Sequence, residues 1–245
     1  DAPDTKGERV GFVGVSVGGS LALLAARDDS LEDRVSVVSC LAPYTDLENV
    51  LRLATTGTYP GEGEYYGGGT PHYLRVITVR SAVSLLPEGE ERDSLLRLVP
   101  ELRHYYGAGP DTADPLVAIP AFKVVNDDEL SPETESLIKL LLNRDPERFD
   151  ELYADLSPRM REEIEALSPA SGANRIEAPV EIASAPRDEY FPVAESKMLE
   201  GDVPDLRLTV TPALKHVEPD PEDIPALLAL NGFVVRSFEE ASSEK

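Results

Sequence analysis

A serine lies at the centre of a glycine-rich pentapeptide near the beginning of the sequence. Gly14-Val15-Ser16-Val17-Gly18 matches the pattern G-x-S-x-G and joins an apolar, β-rich run at residues 9–15 to an Ala/Leu-rich helical segment at residues 20–27. A serine on such a strand-to-helix turn is held above the sheet, where it can act as a nucleophile. The helix N-terminus favours negative charge, and the backbone N–H of Val17 would be one oxyanion donor.

The same turn has an alternative interpretation as part of a nucleotide site. A dinucleotide-binding turn requires G-x-G-x-x-G, and Ser16 occupies the place of the middle glycine. The next predicted strand ends in Leu41-Ala42-Pro43, without the acidic residue that would bind a ribose. The sequence therefore favours a nucleophile at Ser16.

Three histidines could supply the general base. His104 falls in a helical pattern, where a packing or surface role is expected, and His72 follows a glycine run, where we expect a loop residue with substrate contact as the alternative. His216 follows a predicted strand at residues 206–211. Loops at the carboxyl ends of parallel strands carry the sites of open α/β sheets, so we predict that His216 is the base.

An acid is needed to orient the base and to stabilise its charge. Asp188 follows the predicted strand at residues 179–185, at the same edge of the sheet, and the neighbouring Glu189 is the alternative. For either carboxylate, a simple solvated charge is the competing interpretation. A serine, histidine and aspartate need neither a metal nor an organic cofactor, so we predict no cofactor.

The elements that would position these residues follow a strand–helix–strand pattern. Residues 9–15 and 34–41 are apolar runs on either side of the helical segment, which predicts a parallel pair with a right-handed crossover. The pattern resumes at residue 179, with a helix at residues 193–199 between the two later strands. A last helix is predicted at residues 223–230, ended by Asn231-Gly232 and followed by a polar, frayed tail.

The middle of the chain has a different pattern. Ser131, Asp145 and Ser157 each precede a proline, which is typical of a capped helix start. Amphipathic segments occur at residues 46–54, 73–86, 92–105, 133–144, 147–156 and 159–167. We interpret this stretch as a mostly helical insertion.

The segment around the predicted acid resembles a known family. Residues 184–192 (SAPRDEYFP) are similar to the H-G-x-x-D-x-x-V-P segment of α/β-hydrolases of the lipase, esterase and peptidase group, with Asp188 at the acid position. Residues 175–180 (RIEAPV) resemble the family's approach to that strand. The order Ser16, Asp188, His216 is the family order. Related enzymes with Asp or Cys at the elbow, such as haloalkane dehalogenases and dienelactone hydrolases, are disfavoured by Ser16.

The resemblance implies an α/β fold, namely the C-terminal part of an α/β-hydrolase with a mostly parallel sheet. Residues 1–43 and 178–245 would form a partial core, and residues 44–177 a helical cap or lid over an acyl pocket. The family fold has further strands before the elbow strand, and a loop among them supplies the second oxyanion donor. We expect those strands to lie upstream of residue 1 or to come from a second polypeptide.

Charge and composition restrict the partners. The 245 residues include 46 acidic and 23 basic side chains, a formal charge of −23, which repels nucleic acid and anionic membranes. No apolar run approaches the roughly 20 residues that span a bilayer. The single cysteine, Cys40, excludes an intrachain disulfide and is compatible with a cytoplasmic location.

The function predicted from the sequence is hydrolysis of carboxylic esters, or of amides, through a Ser-His-Asp triad and an acyl-enzyme. The partner expected is a small-molecule acyl substrate. Two alternatives stay open: a non-catalytic or truncated hydrolase-like interaction protein, and an acyltransferase that uses the same triad.

Overall fold

A computed structural model describes residues 9–65, 71–98, 130–188, 190–219 and 224–242. The chain divides into two compact units, one formed by Asp1–Leu47 and Ala166–Lys245 and the other by Glu48–Glu165. Among the described residues, none of the helices combines the length and the apolar character needed to cross a membrane.

A four-stranded parallel sheet forms the centre of the first unit. Its strands are β1 (Val10–Val15), β2 (Val35–Leu41), β3 (Val180–Ser184) and β4 (Leu206–Val210), in that order across the sheet. The register pairs Val15 with Leu41 and Leu41 with Ala183, so the strands end at one common edge. The mostly parallel α/β fold predicted from the sequence is confirmed.

The burial of the strands follows their place in the sheet. The central strands β2 and β3 are buried on both faces, apart from the last residue of β2, as expected for near-continuous apolar runs in a parallel sheet. The outer strands are partly exposed, and Val13 in β1 is 80% exposed. Residue exposure therefore distinguishes the inner strands from the outer ones.

Helices cover both faces of this sheet. On one face, α1 (Val17–Ala26) buries Leu23 against Val38, Cys40 and Ile182. On the other, α9 (Ile224–Ser242) contributes Phe233 to a cluster with Ala183, Ala185 and Leu214. The short α8 (Val193–Lys197) lies between β3 and β4 in sequence. A minimal hairpin pairs Leu214–Lys215 with Glu218–Pro219.

The last helix differs from the sequence-based prediction. α9 continues through Asn231-Gly232 to Ser242, so the predicted end at Asn231 and the frayed tail beginning at residue 237 are wrong. The physical reason is tertiary contact beyond the turn signal: Phe233 is buried, and the Arg236 guanidinium binds the Glu181 carboxylate at 3.0 Å. Such contacts override local propensity.

The second unit is mostly helical. Within its described residues, the helices are α2 (Leu47–Thr56, which begins at the boundary), α3 (His72–Ser84), α4 (Glu90–Leu98), α5 (Pro132–Leu142), α6 (Phe149–Ala154) and α7 (Pro158–Ala166), and a hairpin pairs Thr58–Tyr59 with Gly63–Glu64. The Ser131 hydroxyl accepts from the Thr134 N–H, and Pro132 follows it, as predicted for a helix start. Asp145 caps a short 3₁₀ turn that leads into α6.

Candidate active site

Ser16 lies in a strained turn between β1 and α1. Its φ of 54° and ψ of −126° lie in a region that residues with a side chain rarely adopt. The turn is held from both sides, because the Ser16 N–H donates to Leu41 O at 2.7 Å and the Ser16 carbonyl accepts from the Gly19 N–H at 2.8 Å. This is the geometry in which a strand-to-helix serine presents its hydroxyl above a sheet.

Close backbone approach explains two of the glycines around Ser16. A Cβ at Gly14 would lie 2.2 Å from the Gly18 carbonyl oxygen, and one at Gly19 would lie 3.2 Å from the Cβ atoms of Cys40 and Pro43. Gly18 differs, since a Cβ there would meet no atom within 4 Å. Close packing therefore requires a glycine at position 14 but not at position 18.

The Asp188 carboxylate is held in a turn after β3. Its side chain is buried, and its Oδ1 accepts from the backbone N–H groups of Tyr190 (2.8 Å) and Phe191 (2.9 Å). Both donors come from the turn itself, so the carboxylate is fixed by local backbone. The carboxylate so placed can then meet a base from another element.

His216 joins the serine to the aspartate. Its Nδ1 lies 2.9 Å and 3.0 Å from the two carboxylate oxygens of Asp188, and its Nε2 lies 2.9 Å from Ser16 Oγ. Because an ionised carboxylate only accepts, the Nδ1–H donates to it, which leaves Nε2 as the acceptor for the serine proton. The structure thus brings together the three residues that the sequence singled out.

The backbone at His216 explains how the ring is aimed. His216 and Val217 form the two-residue loop of the hairpin after β4, and His216 has a φ of 55°. Two-residue hairpin loops of the primed types need a positive φ at this position. No residue of the sequence signals this turn, since the residues that normally favour it are Gly, Asn and Asp.

Aromatic rings pack against the His216 imidazole. Tyr190 contacts it edge to face with ring centroids 4.7 Å apart, and Phe191 does so at 5.7 Å. These contacts restrict the ring's rotation and exclude water from one side. Neither residue is among those predicted from the sequence, although an aromatic pair directly after a candidate acid was the available signal.

The other candidate residues have different places. Val17 is the first residue of α1. The first amides that donate within this turn are those of Gly19 and Ser20, which bind Ser16 O. The Val17 N–H comes before them, at a position where a helix has no backbone acceptor for its amides. Its role as an oxyanion donor stays a prediction. His72 begins α3, so its assignment to a loop is wrong. His104 and Glu189 lie outside the described residues.

Cys40 is no competitor for the nucleophile. Burial raises the pKa of its thiol to about 12, and its Sγ lies 3.4 Å from the Gly19 carbonyl oxygen, beneath the serine turn. A thiol with so high a pKa holds almost no thiolate near neutral pH. Cys40 therefore acts as a small packing residue.

Comparisons with known proteins give matches among solved structures alone. No family model matches the chain, and no curated protein sequence does. A monoacylglycerol lipase from Paleococcus ferrophilus is 14% identical, with a TM-score of 0.41, 98% of this chain covered and 70% of the other. An α/β fold family hydrolase from Bacillus anthracis str. Sterne is 13% identical, with a TM-score of 0.43 and coverages of 94% and 67%.

A third solved structure is similar to the same degree. MGS-M2, an α/β hydrolase enzyme from a Medee basin deep-sea metagenome library, is 15% identical, with a TM-score of 0.41 and coverages of 97% and 67%. The chain thus spans about two thirds of the length of these proteins. Likeness at this level carries no conclusion about activity.

The fold follows from the chain's own geometry. The strained serine joins a parallel strand to a helix, and the acid and the histidine each follow a later strand. Their order along the chain is Ser, Asp, His, which distinguishes this architecture from other proteins with such a triad. Their side chains meet at the carboxyl edge of the sheet. The parallel sheet and the strand-to-helix serine turn of this chain are those of the α/β-hydrolase fold.

Proposed function

We propose that the chain is a serine hydrolase that cleaves carboxylic esters, or amides, through an acyl-enzyme. The observation that carries the proposal is the continuous hydrogen-bonded path from Ser16 Oγ through His216 to Asp188. The alignment fits a serine that loses its proton to Nε2 while the carboxylate holds the opposite nitrogen.

The reaction has two stages in this proposal. Ser16 Oγ attacks the substrate carbonyl carbon as His216 Nε2 takes the hydroxyl proton, and the imidazolium then gives that proton to the departing alcohol or amine. A water molecule next loses a proton to Nε2 and attacks the acyl carbon, which releases the carboxylic acid and restores Ser16. Asp188 stabilises the positive imidazolium in both stages.

Negative charge on the tetrahedral oxygen needs its own donors. The amide of Val17, at the N-terminus of α1, would be one donor, and the dipole of the ten-residue helix would add to it. Removal of one such donor typically slows an enzyme by about 10²–10³. A backbone amide N–H is kept by every side-chain substitution except proline, so residue 17 would contribute this donor with any other side chain.

The first prediction concerns covalent labelling. A fluorophosphonate probe should label the protein at Ser16, because Nε2 of His216 activates that hydroxyl. Mass spectrometry of the digested adduct identifies the modified residue. The Ser16→Ala variant is the matched control, because it keeps the fold and removes only the hydroxyl. Equal labelling of Ser16→Ala would exclude Ser16 as the nucleophile.

A panel of acyl esters separates the remaining functions. A hydrolase releases the acid when water is the only acceptor, whereas an acyltransferase forms the acyl-enzyme but transfers it preferentially to an added alcohol or thiol. A non-catalytic protein gives neither turnover nor adduct.

A further inference from the structure

A buried carboxylate lies close to the site but has no part in the proposed reaction. Glu195 in α8 has an exposed fraction of 0%. Its Oε2 accepts from the backbone N–H groups of Thr45 at 2.6 Å and Asp46 at 2.8 Å. The Thr45 hydroxyl lies 2.6 Å from the Glu195 carbonyl oxygen and 3.2 Å from Oε2. Glu195 therefore binds the turn after β2 through both backbone and side-chain groups.

The same turn is also attached to the helix that follows the nucleophile. The buried Ser20 hydroxyl, in the first turns of α1, donates to the Tyr44 carbonyl oxygen at 2.7 Å. Glu195 binds the next two residues, Thr45 and Asp46. The segment at residues 44–46 is thus bound both to the serine's helix and to the helix after the acid.

A path of packed rings connects this turn to the base. The Tyr44 ring contacts the Phe191 ring edge to face with centroids 5.7 Å apart, and Phe191 contacts the His216 ring in the same way at 5.7 Å. Phe191 also donates its N–H to Asp188. Burial, and secondly the charge of Glu195, raise the pKa of Tyr44, so its phenol stays neutral.

We propose that Glu195 is a positioning residue, an assignment that rests on the proposed function. Its carboxylate fixes the Tyr44–Asp46 turn, and the rings of Tyr44 and Phe191 transmit that placement to the His216 imidazole. The alignment of His216 Nε2 with Ser16 Oγ then depends on the Glu195 carboxylate, which touches neither the substrate nor the reacting atoms.

Glu195→Gln is the informative substitution. It keeps the side-chain volume and one oxygen acceptor but replaces the other oxygen by an NH2 group, which only donates. The two backbone donors of residues 45 and 46 lose a charged acceptor, and hydrogen bonds to charged groups are about twice as strong as neutral ones. We expect the turn to loosen while the sheet and the strained serine turn remain.

The experiment measures fluorophosphonate labelling rates over a range of probe concentrations. This separates the maximal rate of phosphonylation from the concentration at half-saturation. For Glu195→Gln we expect the maximal rate to fall about tenfold, because misplacement of a reacting group by about 1 Å can cost 10²-fold. The half-saturation concentration should stay within about twofold, because no residue in contact with the probe has changed.

Glu181→Gln is the matched control. Glu181 is equally buried and lies in β3, but its carboxylate is bound by Arg236 of α9 and Arg207 of β4. Its loss destabilises the fold without affecting the turn at residues 44–46. The folded Glu181→Gln protein should label at the wild-type maximal rate.

A second pair of variants tests the same path if Glu195→Gln does not fold. Tyr44→Phe keeps the ring that contacts Phe191, so it should label at the wild-type rate. Tyr44→Leu removes the ring and should lower the maximal rate in the same way as Glu195→Gln.

The outcomes distinguish this inference from the function beneath it. If the fluorophosphonate does not label the wild-type protein, both the proposed function and the positioning role are contradicted. If the wild type is labelled and both Glu195→Gln and Tyr44→Leu are labelled at the wild-type maximal rate, the function stands but the positioning role is overturned. Equal slowing by Glu195→Gln and Glu181→Gln overturns it too, since the effect would then be a general loss of rigidity.

Discussion

Backbone strain is concentrated around the candidate site. Among the described residues, those other than glycine with a positive φ are Ser16 at 54°, Ala42 at 46° and His216 at 55°. Ser16 and His216 are the candidate nucleophile and base. Ala42 directly follows β2 beside them, and its N–H donates to Ala183 O at 2.9 Å. Such conformations persist only where surrounding contacts fix them, so the sheet edge stabilises its own most strained residues.

The two glycines that flank Ser16 should respond to substitution in opposite ways. Gly14→Ala should lower the free energy of unfolding by about 3 kcal/mol, the upper range for overpacking, because the new Cβ meets the backbone of Gly18 and Gly19. Gly18→Ala should be neutral or raise that free energy by up to about 1 kcal/mol, because the position is helical and open. Urea denaturation measures both, and equal losses would contradict the difference in packing.

At the level of the elements, a buried ion pair holds the last helix on the sheet. Arg236 of α9 contacts both oxygens of the Glu181 carboxylate at 3.0 Å and also donates to the Thr209 hydroxyl at 2.8 Å. Arg207 of β4 adds a further contact to Glu181 at 3.3 Å. A carboxylate buried in the middle of a sheet is stable only with such partners.

Breaking this pair should cost more than replacing it. In Arg236→Ala, the buried Glu181 carboxylate keeps Arg207 as its guanidinium partner among the described residues. We therefore expect a loss of about 3 kcal/mol in unfolding free energy, the lower end for a broken buried pair. The double variant Glu181→Leu with Arg236→Met should recover most of that loss. Urea denaturation tests both, and a double variant as unstable as Arg236→Ala would contradict this explanation.

The elements differ in how far the sequence predicts them. β2 and β3 are short apolar runs between turn signals, so local composition was sufficient for both. The true end of α9 depends on Phe233 and Arg236 reaching the sheet, which no local window contains. The same limit applies to Glu195, since nothing in a short helix indicates that its carboxylate binds a turn 150 residues away.

For the site itself, residue type and order predicted which side chains would meet. Ser16, Asp188 and His216 each follow a strand, and aligned strand ends bring them to one edge. The sequence could not predict the ring packing on His216 or the positive φ that aims it. Both depend on a hairpin whose loop holds a histidine in place of the usual glycine or asparagine.

For the whole molecule, charge is the dominant property. A net charge of −23 on 245 residues makes self-repulsion a destabilising contribution in the compact state. Raising NaCl from about 0.05 M to about 0.5 M shortens the Debye length severalfold, so we expect the melting temperature to rise by a few degrees. Thermal unfolding in each buffer measures the change. Sucrose at equal osmolarity is the control for non-ionic effects, and a melting temperature that falls with salt would contradict the prediction.

Ser16 and His216 are hydrogen-bonded although 200 residues separate them along the chain. Contacts of such long sequence separation form slowly, because the entropy of closing the intervening loop is lost before the contact stabilises anything. During refolding, helices such as α1 can form from local contacts well before β4 joins the sheet and brings the histidine to the serine. On the proposed function, activation of Ser16 is therefore expected late in refolding, and it would report the completion of long-range order rather than the acquisition of secondary structure.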